Sequence, residues 1–146
     1  MSLFYGANWP PSRHGELNMN LMSASPPKAR AAVVYFDGAC PVCSREIALY
    51  RQSEGGEQVQ WLDISPPDGP ACAPDLDRAR ALARLHVRDE SGRLHVGGAA
   101  FLALWRALPR WWRWARWLDH RPGHLLLSAA YAAFLRLRPL WRRPPA

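Results

Sequence analysis

The sequence predicts an α/β fold in which helices cover both faces of a four-stranded mixed sheet. A short apolar strand, a helical stretch and a second strand lie within residues 31–64 and form a βαβ unit. Two segments of alternating polar and apolar residues, 84–87 and 93–96, flank turn residues and predict a β-hairpin. An apolar helix over 99–108 follows the hairpin, and 146 residues suffice for one such domain.

The βαβ unit is delimited by residues that interrupt regular structure. Residues 31–36 (AAVVYF) are apolar, β-branched and aromatic, which is typical of a buried central strand, and Asp37-Gly38 ends that run. Helical periodicity begins at Pro41 and stops at Gly55-Gly56. Residues 59–64 (VQWLDI) then predict the second strand, which ends at a proline-rich loop.

A short helix over residues 75–82 precedes the hairpin. We expect Arg88 to pair with Arg93 across the turn, which places His86 opposite His95 on one face of the hairpin. The opposite face then carries the apolar side chains of Leu85, Val87, Leu94 and Val96.

Two further helical stretches follow the apolar helix, which Pro109 ends. They cover residues 111–118 and 124–137, and Arg121-Pro122-Gly123 separates them. The complete order is therefore βαβ-α-ββα plus extra C-terminal helices. This order matches the thioredoxin fold.

The termini differ from the central part of the chain. Residues 1–30 show no sustained period and lack the apolar core of a signal peptide, so we predict a flexible tail there. Met19 and Met22 within it are candidates for an alternative start of translation. Residues 31–140 form the predicted single domain, and 141–146 a short tail.

Charge and cysteine content bound the function. The net charge of +7 is concentrated at the C-terminal end, where nine arginines and one acidic residue, Asp119, follow residue 105. Residues 1–105 carry ten basic and eleven acidic groups. Three cysteines, two of them three positions apart, do not form the disulfide framework of a small secreted domain. We therefore expect a reducing, cytoplasmic location.

The cysteine pair carries the most specific chemical signal. Cys40 directly precedes the predicted helix, where unpaired backbone N–H groups and the helix dipole make a thiol more acidic. Pro41 suits the first helical position, since its missing N–H costs nothing there. Cys43 lies one turn further on, which predicts an exposed attacking thiol at Cys40 and a sheltered resolving thiol at Cys43. Asp37 could relay a proton to or from this pair or cap nearby N–H groups.

The segment FDGACPVC, with Asp37, Cys40 and Cys43, resembles the DCC-type thiol-disulfide oxidoreductase family. The resemblance implies a thioredoxin-like fold and disulfide exchange with a protein or a low-molecular-weight thiol. It covers roughly residues 32–140. Besides the cysteine motif it includes WLDI at 61–64, RLHV at 84–87, GAAF at 98–101 and ALWRALP at 103–109.

The sequence departs from thioredoxins proper in two places. Their tryptophan before the first cysteine is Ala39 here. Thioredoxins and glutaredoxins also place a cis-proline just before the first hairpin strand, where this chain has Ala83-Arg84-Leu85. That loop normally helps to hold the incoming substrate chain.

A metal site is one alternative to redox chemistry. A CxxC pair is half of a zinc site, and His86, His95 and Cys72 are the other candidate ligands. Because there is no second CxxC, we expect neither a metal nor another cofactor.

A basic interaction module is the other alternative. Residues 108–118 alternate arginine with tryptophan, a composition that suits an anionic membrane surface or a partner protein. On a helix, Trp111, Trp114 and Leu118 share one side, which equally suits packing on the body of the domain. No nucleic-acid motif accompanies the segment, so we expect no nucleic-acid partner. Peripheral membrane contact stays open, and we expect a monomer.

Overall fold

The computed structural model describes residues 32–142. The predicted N-terminal tail and the two alternative start methionines lie outside the described residues, as do positions 143–146 of the predicted C-terminal tail. Four strands and five helices follow in the predicted order: β1 (Ala32–Phe36), α1 (Pro41–Arg51), β2 (Val59–Asp63), α2 (Arg78–Ala83), β3 (His86–Asp89), β4 (Leu94–Val96), α3 (Gly98–Ala107), α4 (Trp112–Leu118) and α5 (Arg121–Leu137). Short 3₁₀ turns lie at Gly56–Gln58 and Arg138–Leu140.

The strands form one mixed sheet in the order β2-β1-β3-β4. β1 pairs in parallel with β2, with Val34 opposite Trp61, and antiparallel with β3, with Val34 opposite Val87. β4 pairs antiparallel with β3 at the edge. The predicted thioredoxin-like fold with added C-terminal helices is therefore confirmed. β1 is central because its β-branched and aromatic residues are buried between two neighbouring strands.

Two apolar clusters cover the two faces of the sheet. α1 and α3 pack on one face, where Ile47 and Leu104 meet Val34. The loop before α2 and α2 itself pack on the other face, where Leu76 and Ala81 meet Tyr35. Since alternate residues of β1 face opposite sides, Val34 and Tyr35 serve different clusters.

α3 is apolar on two sides because it lies between the sheet and the C-terminal helices. Leu104 faces the sheet, whereas Leu102 packs against Ala115 and Leu118 of α4 and Leu127 of α5. The extra helices therefore attach to the domain mainly through α3.

The predicted hairpin register is wrong by one residue. His86 lies opposite Val96, and Val87 lies opposite His95, so the two histidines are on different faces. The loop has three residues instead of four: the Asp89 N–H donates to the Arg93 carbonyl at 3.0 Å. Gly92 adopts φ +86°, which closes a tight turn with a bulge and shifts the pairing.

The break between the last two helices also differs from the prediction. Arg121-Pro122-Gly123 is the first turn of α5, and the break lies at Asp119-His120. Proline is tolerated in a first helical turn, and the His120 ring accepts the Gly123 N–H at 3.0 Å. A Cβ on Gly123 would lie 2.1 Å from the Leu118 carbonyl oxygen, so this close approach needs glycine.

The predicted tryptophan face of α4 is wrong in part. Ala115 and Leu118 are its buried side chains, whereas Trp114 is exposed. Trp111, just before α4, packs edge-to-face on Tyr50, with the ring centroids 5.1 Å apart. This tryptophan therefore packs on the body of the domain, one of the two alternatives considered from the sequence.

We expect Leu102→Ala to lower the free energy of unfolding by about 2–5 kcal/mol, because Leu102 is buried between α3 and the C-terminal helices. Urea denaturation followed by circular dichroism measures this change. Leu126→Ala, at a side chain that is 63 % exposed, is the matched control and should change stability by less than about 0.5 kcal/mol. Equal effects of the two variants would contradict this packing.

Candidate active site

The two cysteines lie where β1 leads into α1. Cys40 is the N-cap of α1 in an extended backbone conformation, and Pro41 is the first helical residue, as predicted. The Cys43 N–H donates to the Cys40 sulfur at 3.4 Å. Both cysteines are free thiols. The helix therefore directs at the Cys40 sulfur a backbone N–H that has no partner within the helix, together with the positive end of the helix dipole.

Asp63, at the end of β2, holds the loop before Cys40 in place. Its carboxylate accepts the Gly38 N–H at 2.9 Å and both the N–H and the hydroxyl of Ser65. The Ser44 hydroxyl donates to the Gly38 carbonyl at 2.9 Å from the α1 side. A Cβ on Gly38 would lie 2.0 Å from the Asp63 carboxylate, so glycine permits this approach. Parallel pairing of β1 with β2 thus positions the cysteine loop.

The exposure of the two thiols is the reverse of the prediction. Cys40 is 0 % exposed, whereas Cys43 is partly exposed and lines a cavity of about 30 Å³. The cavity is bordered by α1, α2, α3 and α5, with apolar side chains such as Leu82 and Phe101. The prediction failed because it placed no other part of the chain over the loop that carries Cys40.

Asp37, directly after β1, is buried and bound by two arginines from the C-terminal segment, by which we mean residues 131–142, the end of α5 and the turn after it. Its Oδ2 atom accepts from Arg138 and, at 2.6 Å, from the Arg142 Nε. Its Oδ1 atom accepts the Ala39 N–H at 3.1 Å, which is the capping contact considered from the sequence. Arg142 lies within the predicted C-terminal tail, yet it reaches this buried carboxylate.

The C-terminal segment also binds the end of α2 and the loop that leads from it into β3. Arg138 donates to the carbonyls of Leu82 at 2.9 Å and Ala83 at 3.2 Å. The Leu85 N–H donates to the Tyr131 hydroxyl of α5 at 2.7 Å. This is the loop in which the sequence lacks the proline of thioredoxins, and here its backbone groups are bound by side chains of the chain itself.

Sequence reasoning missed Arg138, Arg142 and Tyr131. Arginine is abundant throughout the C-terminal third, so the pattern offered no sign of which guanidinium is buried. The available signal was Asp37 itself, which directly follows a buried strand and has no evident partner nearby in the sequence. A buried carboxylate requires a cationic or hydrogen-bonding partner.

Burial raises the pKa of the Cys43 thiol above its ordinary value, and the hydrogen bond and charge of Cys40 raise it further. The Arg138 guanidinium acts in the opposite direction, and the Asp37 carboxylate adds a smaller increase. Burial lowers the pKa of Arg138, but Asp37 and the two cysteines raise it by more. Arg138 therefore stays charged within electrostatic reach of both sulfurs, and Cys43 keeps its proton more firmly than a free cysteine does.

The other candidate metal ligands are dispersed. The His86 Nδ1 atom bonds the Arg84 carbonyl at 2.8 Å, and His95 contacts Asp89 at 2.7 Å. Cys72 is partly buried beside the cluster under α2. Among residues 32–142, no three histidine, cysteine or acidic side chains come together as a metal would require.

Comparison with protein families places this geometry in context. The family model described as DCC1-like thiol-disulfide oxidoreductase matches residues 34–144, which include both cysteines, Asp37 and the two arginines that bind it. Comparisons with curated proteins and with solved structures gave no match.

A chain in which Cys40 and Cys72 are replaced by serine keeps Cys43 as its one cysteine. Burial, the largest cause of the raised pKa, persists in this variant. We expect the rate of alkylation by iodoacetamide to rise at higher pH than in the same chain unfolded in urea, because a raised pKa lowers the thiolate fraction at a given pH. Coincident pH profiles for the folded and unfolded chains would contradict the assignment.

Proposed function

Because the chain belongs to the DCC1-like thiol-disulfide oxidoreductase family, we propose that Cys40 is its nucleophile and Cys43 its resolving thiol. The observation that carries this proposal is the position of Cys40 as N-cap of α1, with the Cys43 N–H on its sulfur. The substrate is a protein or low-molecular-weight disulfide or thiol. The reaction needs no cofactor, since the two sulfurs themselves carry the electrons.

The exchange proceeds in two steps. The Cys40 thiolate attacks one sulfur of the substrate disulfide, so that a mixed disulfide forms and the second substrate sulfur leaves as a thiolate and takes up a proton. Cys43 then loses its proton and attacks the Cys40 sulfur. The Cys40–Cys43 disulfide forms, the substrate sulfur that was bound to Cys40 leaves as a thiolate and takes up a proton, and two electrons have passed to the substrate. The same steps in reverse oxidise a dithiol substrate.

The different surroundings of the two sulfurs support this division of roles. The N-terminus of α1 directs the Cys43 N–H and the positive end of the helix dipole at the Cys40 sulfur. Cys43 stays protonated until the second step because burial and Cys40 raise its pKa. When Cys40 forms a mixed disulfide, its negative charge is lost. One of the causes that raise the pKa of Cys43 is then removed.

The first step also requires an opening of the site, because the Cys40 sulfur is fully buried. Arg138 and Arg142 bind Asp37 in the cysteine loop from the C-terminal segment. Displacement of this segment breaks contacts with Asp37 and with the loop between α2 and β3, including the Tyr131 contact with Leu85. We assign the opening to this segment. The number and spacing of the cysteines favour a reducing, cytoplasmic compartment for the reaction.

We assign Asp37 a positioning role. Its Oδ2 atom is shared by two guanidinium groups, and one of these, Arg138, lowers the pKa of Cys43. Asp37 therefore acts on the thiols by holding Arg138 beside them. This role replaces direct proton transfer, which the sequence left open.

Trapping with oxidised glutathione tests the roles of the cysteines. In a Cys43→Ser, Cys72→Ser chain, we expect a persistent mixed disulfide at Cys40, since no resolving thiol is present, and mass spectrometry detects it. In the Cys72→Ser control, the Cys40–Cys43 disulfide forms and glutathione is released. The matched Cys40→Ser, Cys72→Ser chain should capture glutathione at least about tenfold more slowly than the chain that keeps Cys40. Faster capture by Cys43 than by Cys40 would reverse the assignment.

The role of Asp37 is tested in the chain that keeps Cys43 alone. Arg138→Gln should move the pH profile of Cys43 alkylation upward by about one unit, or about 1.4 kcal/mol. Asp37→Asn should move it in the same direction if Asp37 acts by holding Arg138, and the double variant should add nothing further. As a bare charge, Asp37 raises the pKa of Cys43, so a downward movement in Asp37→Asn alone contradicts the positioning role.

A further inference from the structure

The C-terminal helices expose large apolar side chains that the redox site does not use. Trp114 and Trp117 of α4 are 57 % and 67 % exposed, and their rings meet edge-to-face at 6.3 Å. Leu125 and Leu126, in the first turns of α5, are 71 % and 63 % exposed. Only the loop from Asp119 to His120 separates the two helices. We call these four side chains the tryptophan–leucine surface.

The outer face of α5 continues this apolar character. Between Arg121 and Arg136 the helix contains no Asp, Glu, Lys or Arg. Leu125, Ala129 and Ala132 recur at helical spacing and are exposed, whereas Gly123 is the one buried residue of the helix. A helix that is apolar on its outer side as well as its inner side is typical of one that contacts another apolar phase.

The charge around this surface has one sign. Arg110, Arg113, Arg121 and Arg136 are exposed, and none of them has a carboxylate partner among the described residues. The acidic residue of the C-terminal third, Asp119, is already bound by Arg106 at 2.7 Å and by a histidine. The partner of this surface must therefore be anionic as well as apolar.

An anionic phospholipid bilayer combines these two properties. Indole rings prefer the boundary between headgroups and acyl chains, and arginine stems cover apolar surface while their guanidinium groups reach phosphates. Nucleic acid would leave the exposed leucines without a contact. A second copy of this chain would bring like charges together. Within residues 32–142, no helix is both long and apolar enough to cross a bilayer, so binding in the plane of the surface is the geometry that these helices allow.

We propose that α4 and the outer face of α5 bind the surface of an anionic phospholipid bilayer. The tryptophan–leucine surface enters the headgroup boundary, and the neighbouring arginines contact lipid phosphates. This proposal does not depend on the assignment of the cysteines.

Co-sedimentation of the full chain with vesicles tests the proposal. We expect binding to vesicles of equal parts phosphatidylcholine and phosphatidylglycerol, and about tenfold weaker binding to phosphatidylcholine alone. Trp114→Ala with Trp117→Ala should weaken binding by about tenfold or more, because the inserted apolar area is lost. Both side chains are exposed, so unchanged urea denaturation and unchanged disulfide exchange confirm that the variant folds.

A matched pair of arginine variants separates local contact from net charge. Arg113→Ala with Arg121→Ala should weaken binding several-fold, since each basic residue at the surface contributes to attraction. Arg45→Ala with Arg93→Ala removes the same charge from exposed positions elsewhere and should change binding less than about twofold.

Three results would overturn the proposal. The first is no sedimentation with anionic vesicles at low salt. The second is an equal loss of binding in the two arginine variants. The third is tighter association of the chain with itself or with a single-stranded oligonucleotide than with vesicles, measured by sedimentation velocity.

Discussion

The buried contact between Asp37 and two arginines of the C-terminal segment organises the candidate site. A carboxylate without solvent is costly unless it is paired, so Asp37 requires a cation. Arg138 and Arg142 supply it from more than one hundred residues further along the chain. Because Arg138 also binds the carbonyls of the last two residues of α2, one side chain connects the cysteine loop, the end of α2 and the end of α5.

α3 makes this contact possible. It is buried by the sheet on one side and by α4 and α5 on the other, so it fixes where α5 ends and hence where the two arginines lie. The C-terminal helices are thus part of the site although they lie outside the βαβ-α-ββα core. The same arrangement leaves the outer faces of α4 and α5 without a covering element among the described residues, while their inner faces support the redox site.

The core elements could be predicted because each has a local cause. The β-branched run before Asp37, proline at the start of α1 and the alternating hairpin segments express preferences that act within a few residues. The predictions failed where a specific contact determines the register of a strand or the start of a helix. The hairpin register depends on the turn that Asp89 and Gly92 form, and the start of α5 depends on how closely Gly123 can approach Leu118. Neither contact can be recognised from the hydrophobic pattern along the chain.

The sequence by itself determined the order of the elements, the position of Cys40 at a helix N-terminus and the family to which FDGACPVC belongs, because these follow from local pattern and motif. Only the tertiary structure decided which arginines meet Asp37, that Cys40 is buried while Cys43 is partly exposed, and which tryptophans face solvent. Those properties depend on contacts between residues distant along the chain, and a sequence rich in arginine and tryptophan does not distinguish one such residue from another.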